Sequence, residues 1–293
     1  SLHPDVKLTI HNANRQTKKQ IDDIEKFIAD KVDVIIVSPF ESDSIIPVIE
    51  KANAIGIPVI IVDRKVNTSN YTAYLGADNV EVGRIAGRHI VSLSKGNANV
   101  IEIKGASYTS PGLERTMGFR QIIDQYPGVK VISIDAKKDE LPKDVFVNIL
   151  KNAPEINYVF AYNDVIAYQA WKVAKGEKTK NKIKFIGVDG LNGPNGGIQL
   201  VQDGILEATI LYPTGGSEAI KLALKIANKE IVPKNNKLNT TLIDSLNADI
   251  MGNQFDKITI QQSDIEQQQS VIRKQEDKYS SQSNLLKLLF SLF

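Results

Sequence analysis

At 293 residues, with 36 basic against 34 acidic side chains and a formal net charge of +2, the chain has no electrostatic footprint of the kind that neutralising a phosphate backbone requires. Nucleic acid is therefore excluded as a first-choice partner. The lack of cysteine excludes disulfides, thiolate zinc sites and cysteine nucleophiles. A hydrophobic fraction of 42% in a chain longer than one compact core predicts two globular lobes rather than disorder.

The chain opens on Ser1-Leu2-His3-Pro4, with neither a basic, apolar leader nor a spanning segment, so a targeting sequence is expected to have been removed or never present. Short β-branched runs then alternate with longer stretches of helical period, which is the α/β signature. Strands are predicted at Val6–Ile10, Val32–Val37, Pro58–Val62, Thr72–Gly76, Asn99–Ile103, Val129–Ile134, Ile156–Ala161, Ile183–Val188, Leu206–Leu211 and Thr240–Asp244. Several are continuously apolar, as parallel strands covered on both faces must be. One intervening helix carries Ile21, Ile24, Phe27 and Ile28 on a single face, and the next carries Ile45, Ile46, Ile49 and Ala52. Ser42 or Asp43 is expected to cap the second helix, and Asn79 the helix over Val80–Leu93. Trp171 is expected in a core.

After Asp244 the strands cease. Ile258, Ile265, Ile272, Tyr279 and Leu286 recur every seven residues, a spacing that places them on one seam of a helix able to pair with a second copy. The opposite core positions, Gln261, Gln268, Gln275 and Gln282, weaken such a coiled coil. The run Leu285–Phe293 is apolar but shorter than the roughly 20 residues needed to cross a bilayer, and reads as the first turns of a membrane helix.

In an open parallel sheet, ligands bind beyond the carboxyl ends of the strands. The residues in those places are Ser38, Asp63-Arg64, Asp78-Asn79, Asn163-Asp164, Asp189 and Tyr212. A sugar hydroxyl both donates and accepts, so its partners are carboxylates, guanidinium forks and amides. Asp63, Arg64, Asn163, Asp189 and Arg115 supply all three. Asp, Asn and Ser also favour turns and caps one by one, so the argument rests on their common location.

Catalytic signals are poor. His3, His11 and His89 have no ligand or nucleophile at a useful spacing, and no P-loop, GxSxG or HExxH motif occurs. Asp63 and Asp189 could form an acid–base pair but read better as hydroxyl acceptors. No metal and no cofactor is expected.

Six segments in order resemble the type I periplasmic sugar-binding family, whose familiar member is ribose-binding protein. They are Val32–Pro39, Gly56–Arg64, Gly76–Gly83, Glu114–Phe119, Val159–Asp164 and Ile186–Gly190. The resemblance spans roughly residues 5–245. It implies two doubly wound parallel-sheet lobes with a hinge, residues 1–77 with 213–238 forming one and 78–212 with 239–250 the other, followed by a helical stalk at 251–293. It also places Asp63, Arg64, Arg115, Asn163 and Asp189 where the family binds its sugar, and Tyr212 at the hinge side.

Two departures qualify it. The chain begins at the family's second strand, so the first strand and helix are absent and their ligand-bearing loop with them. The loop Asp135-Ala136-Lys137-Lys138-Asp139 offers charges where the family often places an aromatic ring, which adds Lys138 to the site candidates and leaves the ligand a neutral monosaccharide or a sugar acid. The stalk, with Leu211–Gly216 and Asp189–Gly196, resembles the periplasmic sensor domains of hybrid two-component histidine kinases. That implies a homodimer through the C-terminal helix, anchored beside the inner membrane. The rival readings are a soluble binding protein of a sugar ABC transporter and the ligand-binding half of a repressor.

Overall fold

The computed structural model describes residues 6–137, 140–153, 155–177 and 182–290. Two compact units divide the chain. Residues 11–249 form one, and residues 6–10 and 250–290 fall in the other.

Within the first unit, helix α1 (Thr17–Ala29), strand β1 (Ile35–Val37), helix α2 (Ile46–Ala54), strand β2 (Val59–Val62) and strand β3 (Ala73–Ala77) come first. Helix α8 (Gly216–Ala227) and strand β9 (Asn235–Leu238) join them from far along the chain to complete a four-stranded parallel sheet of order β1-β2-β3-β9. β2 shows why its sequence is uniformly apolar. Val59 and Ile61 pack with Ile24, Ile28, Val48 and Ile49 of α1 and α2, whereas Ile60 and Val62 pack with Ala219 and Leu222 of α8. Both faces are covered, and burying each such side chain contributes about 1.5–3 kcal/mol.

The larger lobe runs α3 (Asn79–Ser94), β4 (Ala98–Lys104), α4 (Ser110–Ile123), β5 (Val129–Asp135), α5 (Lys143–Asn152), β6 (Tyr158–Ala161), α6 (Asp164–Gly176), β7 (Lys184–Asp189), α7 (Gly197–Gln202) and β8 (Ala208–Leu211). Its sheet has order β10-β8-β7-β6-β4-β5, in which only β10 (Leu242–Asp244) is antiparallel. Helices α3 and α4 meet closely at two glycines. A Cβ at Gly83 would overlap the Arg115 carbonyl and one at Gly118 the Val80 carbonyl, so small residues set the depth at which Arg115 is carried.

The second unit contains helix α9 (Ala248–Phe290), of 43 residues. Ile258 and Ile265 on it are 50% and 46% exposed. No described helix is long and apolar enough to cross a membrane.

Several expectations need correction. Residues 6–10 form no strand. Their side chains are not gathered into a core, and Val6, Leu8 and Ile10 stand exposed. Conversely, Asn235–Leu238 is a strand although it holds no β-branched residue, because the open edge of β3 supplies the partner backbone. The cap of α3 is Asp78, whose side chain accepts from the Glu81 amide; Asn79 is the first helical residue and is buried. Helix α2 has no side-chain cap, and Pro47 in its first turn removes one of the amides a cap would serve. Trp171 is half-buried on α6, stacked with Tyr168 and covered by Lys175, rather than inside the core.

Candidate functional site

The carboxyl ends of both sheets open on one cleft of about 800 Å³, within the roughly 300–1,000 Å³ range of small-molecule sites. Ser38, Asp63, Arg64, Arg115, Asn163, Asp189 and Tyr212 all line it. Lys138 lies outside the described residues.

From the smaller lobe, Ser38 follows β1 and its carbonyl accepts from Gln20 Nε2 at 2.8 Å. Asp63 follows β2 in a left-handed conformation, φ 66°. The Arg64 N–H reaches back over it to the Val62 carbonyl at 2.8 Å, closing a γ-turn. The Asp63 carbonyl accepts two tyrosine hydroxyls, from Tyr74 at 2.8 Å and Tyr212 at 3.3 Å. A non-glycine residue held there is strained, and these bonds keep it in place. Arg64 Nη1 donates to the Phe40 carbonyl at 3.1 Å, and its guanidinium lies 5.9 Å from the centre of the Phe40 ring.

From the larger lobe, Asn163 caps α6, its Oδ1 accepting from the Ile166 amide at 2.9 Å. Arg115 on α4 is 4% exposed. Its Nε donates to Asn79 Oδ1 at 2.8 Å, and its Nη1 donates to the Tyr162 carbonyl at 2.5 Å and lies 3.7 Å from Asp189 Oδ1. The Tyr212 ring sits 4.8 Å from the guanidinium, a cation–π arrangement. Asp189, at the end of β7, also has a positive φ, 117°. The Tyr212 hydroxyl accepts from Asn79 Nδ2 at 3.3 Å. Burial pushes the Tyr212 phenol above its ordinary pKa, with the Asp63 charge adding to the shift, so the hydroxyl keeps its proton.

Direct bridges join the lobes at the cleft edge. The Lys65 N–H donates to Ser110 Oγ at 2.8 Å, and Lys65 Nζ pairs with Glu114 Oε1 at 2.8 Å. Phe40 and Tyr108 face each other with ring centres 6.0 Å apart.

Sequence reasoning missed Phe40, Tyr108, Arg15 and Glu41, which line the same cleft. Phe40 and Glu41 follow Ser38 after β1, so extending the strand-end rule by a few residues to aromatic and acidic types would have found them. Tyr108 lies in the loop after β4, equally within that rule. Arg15 precedes α1 and had no comparable signal.

Two α/β lobes, between which the chain passes after β3, after β8 and after β9, with a cleft at their strand ends, define the type I periplasmic binding protein fold. The chain belongs to that family. A description of the periplasmic binding protein domain matches residues 2–231, and the family consists of binding proteins rather than enzymes. Among curated proteins, the chain is 31% identical over 207 residues to the ribose import binding protein of Bacillus subtilis, covering 70% of this chain and 66% of that one. It is 29% identical over 228 residues to the Escherichia coli ribose import binding protein, covering 77% and 76%. Among solved structures it resembles the fructose-binding periplasmic domain of a hybrid two-component system, with 37% identity, a TM-score of 0.85, and 90% of this chain and 89% of that one covered. It also resembles an ABC-transporter solute-binding protein from Bacillus halodurans with bound myo-inositol, at 25% identity and a TM-score of 0.79, covering 86% and 88%.

Proposed function

We propose that this domain resides in the periplasm, binds a monosaccharide between its lobes, and signals occupancy through α9 to a histidine kinase. The observation that carries the binding reading is the convergence on one cleft of six strand-end polar residues from two separate sheets, with Arg115 of α4 beside them. Three guanidinium groups, Arg15, Arg64 and Arg115, line it with three carboxyl groups, Glu41, Asp63 and Asp189. Their formal charges cancel, which favours a neutral polyhydroxylated ligand over a sugar acid. Phe40 and Tyr108 at the cleft offer the apolar ring faces against which a sugar's C–H groups pack.

The likeness to a fructose-binding sensor domain supports the signalling part. On this reading the ligand favours the closed lobes through unequal affinity for the two states, and Ile258 and Ile265 on α9 belong to a seam that pairs with a second copy beside the inner membrane. A second reading, delivery of sugar to an ABC transporter, is favoured by the ribose import relatives.

Titration calorimetry with D-fructose, D-ribose and D-galacturonate tests the site. Arg64→Ala and Asp189→Ala each remove charge-assisted hydrogen bonds of about 1.5–3 kcal/mol, so affinity should drop roughly tenfold to a hundredfold. Unchanged affinity in both variants would sink the cleft assignment. Galacturonate binding more tightly than either neutral sugar would reverse the reading of ligand charge.

A further inference from the structure

Asp164, the first residue of α6, stands immediately beside the cleft residue Asn163 yet is itself 4% exposed. Its carboxyl group lies in a niche bounded by glycines: a Cβ at Gly187 on β7 or at Gly197 on α7 would overlap its oxygens. One oxygen accepts from the Thr209 hydroxyl at 2.7 Å, and the other accepts from the Gly190 backbone N–H at 2.8 Å.

The second contact bears on the site. Gly190 N–H and the Asp189 carbonyl belong to the same peptide unit. That carbonyl accepts from the Tyr212 N–H at 3.0 Å, so the unit is held on one side by Tyr212 and on the other by Asp164. The residues it joins both have positive φ, 117° at Asp189 and 58° at Gly190. Glycine adopts such a φ freely, but at Asp189 it persists only where the surroundings over-determine it.

We infer that Asp164 is a positioning residue for ligand binding, its buried carboxyl group fixing the Asp189–Gly190 peptide so that the Asp189 side chain faces the cleft. The inference rests on the monosaccharide reading above for its consequence, and on the backbone geometry alone for its structural part. The groups facing Asp164 fit the role. Asp189 on β7 and Arg115 on α4 are the charged neighbours, while α7 and β8 carry no ionisable side chain. Burial, reinforced by the Asp189 charge, pushes the Asp164 carboxyl up to about 8. At neutral pH it is therefore mostly protonated, the oxygen beside Thr209 then carrying the proton and donating it to that hydroxyl, the reverse of the direction in the ionised form, which spares Asp189 a second negative charge at its side.

Asparagine reproduces an uncharged group with one acceptor for Gly190 and one donor for Thr209; alanine and serine do not reach Gly190. Two readouts follow. In the ligand-free, nitrogen-15-labelled domain, the Gly190 amide should exchange with solvent at least tenfold faster in Asp164→Ala and Asp164→Ser than in the wild type, and within about threefold of it in Asp164→Asn. Affinity for D-fructose or D-ribose, whichever the wild type binds, should drop at least tenfold in the Ala and Ser variants and be retained in Asn. Thr209→Val, which leaves the Gly190 bond intact, should bind within about threefold of the wild type. Gly190 exchange equal in wild type and the Ser variant overturns the inference, as does tight sugar binding by the Ala or Ser variant. A wild-type domain that binds neither sugar defeats the monosaccharide reading instead, and Gly190 exchange still decides the role of Asp164.

Discussion

Replacing Lys65 by Met and Glu114 by Gln, singly and together, isolates a charged pair that joins the two lobes at the cleft. Lys65 lies just past β2 and Glu114 on α4, so their 2.8 Å contact forms only when the lobes are close. Lys65 is 43% exposed and Glu114 16% exposed. An exposed pair contributes about 0.2–1 kcal/mol. Solvent screening at Lys65 holds the value down, whereas the partial burial of Glu114, whose Oε2 has no hydrogen-bond partner among the described residues, moves it toward the top of that range. We take about 1 kcal/mol, and this energy belongs to the closed state. If the ligand-free domain is mainly open, losing it lowers the closed fraction and raises Kd by about fivefold. The backbone bond from Lys65 N–H to Ser110 Oγ survives in every variant and serves as an internal control. The assay is a double-mutant cycle on sugar affinity by calorimetry, at 0.05 M and 0.5 M NaCl. Coupling of about 0.5–1 kcal/mol at low salt, shrinking at high salt, is expected. Coupling within about 0.3 kcal/mol of zero, the usual error of additivity, would show that the pair does not discriminate between open and closed lobes, and the argument would fail.

Arg115→Met removes the donor to Asn79 Oδ1 and the Tyr162 carbonyl and uncovers Asp189, all in a nearly buried place. Urea unfolding without ligand should show a loss of about 2–4 kcal/mol, and a loss under 0.5 kcal/mol would mean those groups find water instead. Asp164 supplies a pH dependence. Its folded pKa, about 8, lies above the unfolded value of 3.8, so the folded state binds the extra proton between them and stability falls as pH rises through that window, by at most about 1.4 kcal/mol per pH unit. The stability of the wild type relative to Asp164→Asn should therefore decline from pH 6 to pH 8 and level off above, as read by urea midpoints. A flat difference would refute the burial argument.

The strands were the most legible part of the chain, because a core between two helix layers demands continuous apolar runs such as Val59–Val62, and no turn or helix surface tolerates them. What escaped was set by partners rather than by local composition. Asn235–Leu238 is a strand because β3 presents an open edge, while Val6–Ile10 has strand-like alternation yet forms no strand. The site followed the same division. Reading only polar strand-end residues brought Asp63, Arg64, Asn163 and Asp189 to one cleft but passed over Phe40 and Tyr108. Asp164 stands in sequence among the polar residues after the strands, but nothing there shows its burial, which depends on Gly187, Gly197 and Thr209, brought near only by folding.

Tyr212 shows why the two ends of the cleft act together. Its hydroxyl donates to the carbonyl of Asp63 in the smaller lobe, and its backbone N–H donates to the carbonyl of Asp189 in the larger one. Both aspartates hold positive φ, so each depends on such a bond to keep its carboxylate on the cleft. The same ring covers Arg115, whose Nη1 lies 3.7 Å from Asp189 Oδ1. Because burial keeps the phenol protonated, the link to Asp63 is a donor at every physiological pH. A relative movement of the lobes that stretches the 3.3 Å hydroxyl contact leaves the Asp63 carbonyl with the Tyr74 hydroxyl of its own lobe at 2.8 Å, and leaves Asp189 untouched. On the binding reading proposed above, the Asp63 turn is held from within its own lobe by Tyr74 and across the lobes by Tyr212, whereas the Asp189–Gly190 peptide is held within the larger lobe by Asp164 and the Tyr212 amide.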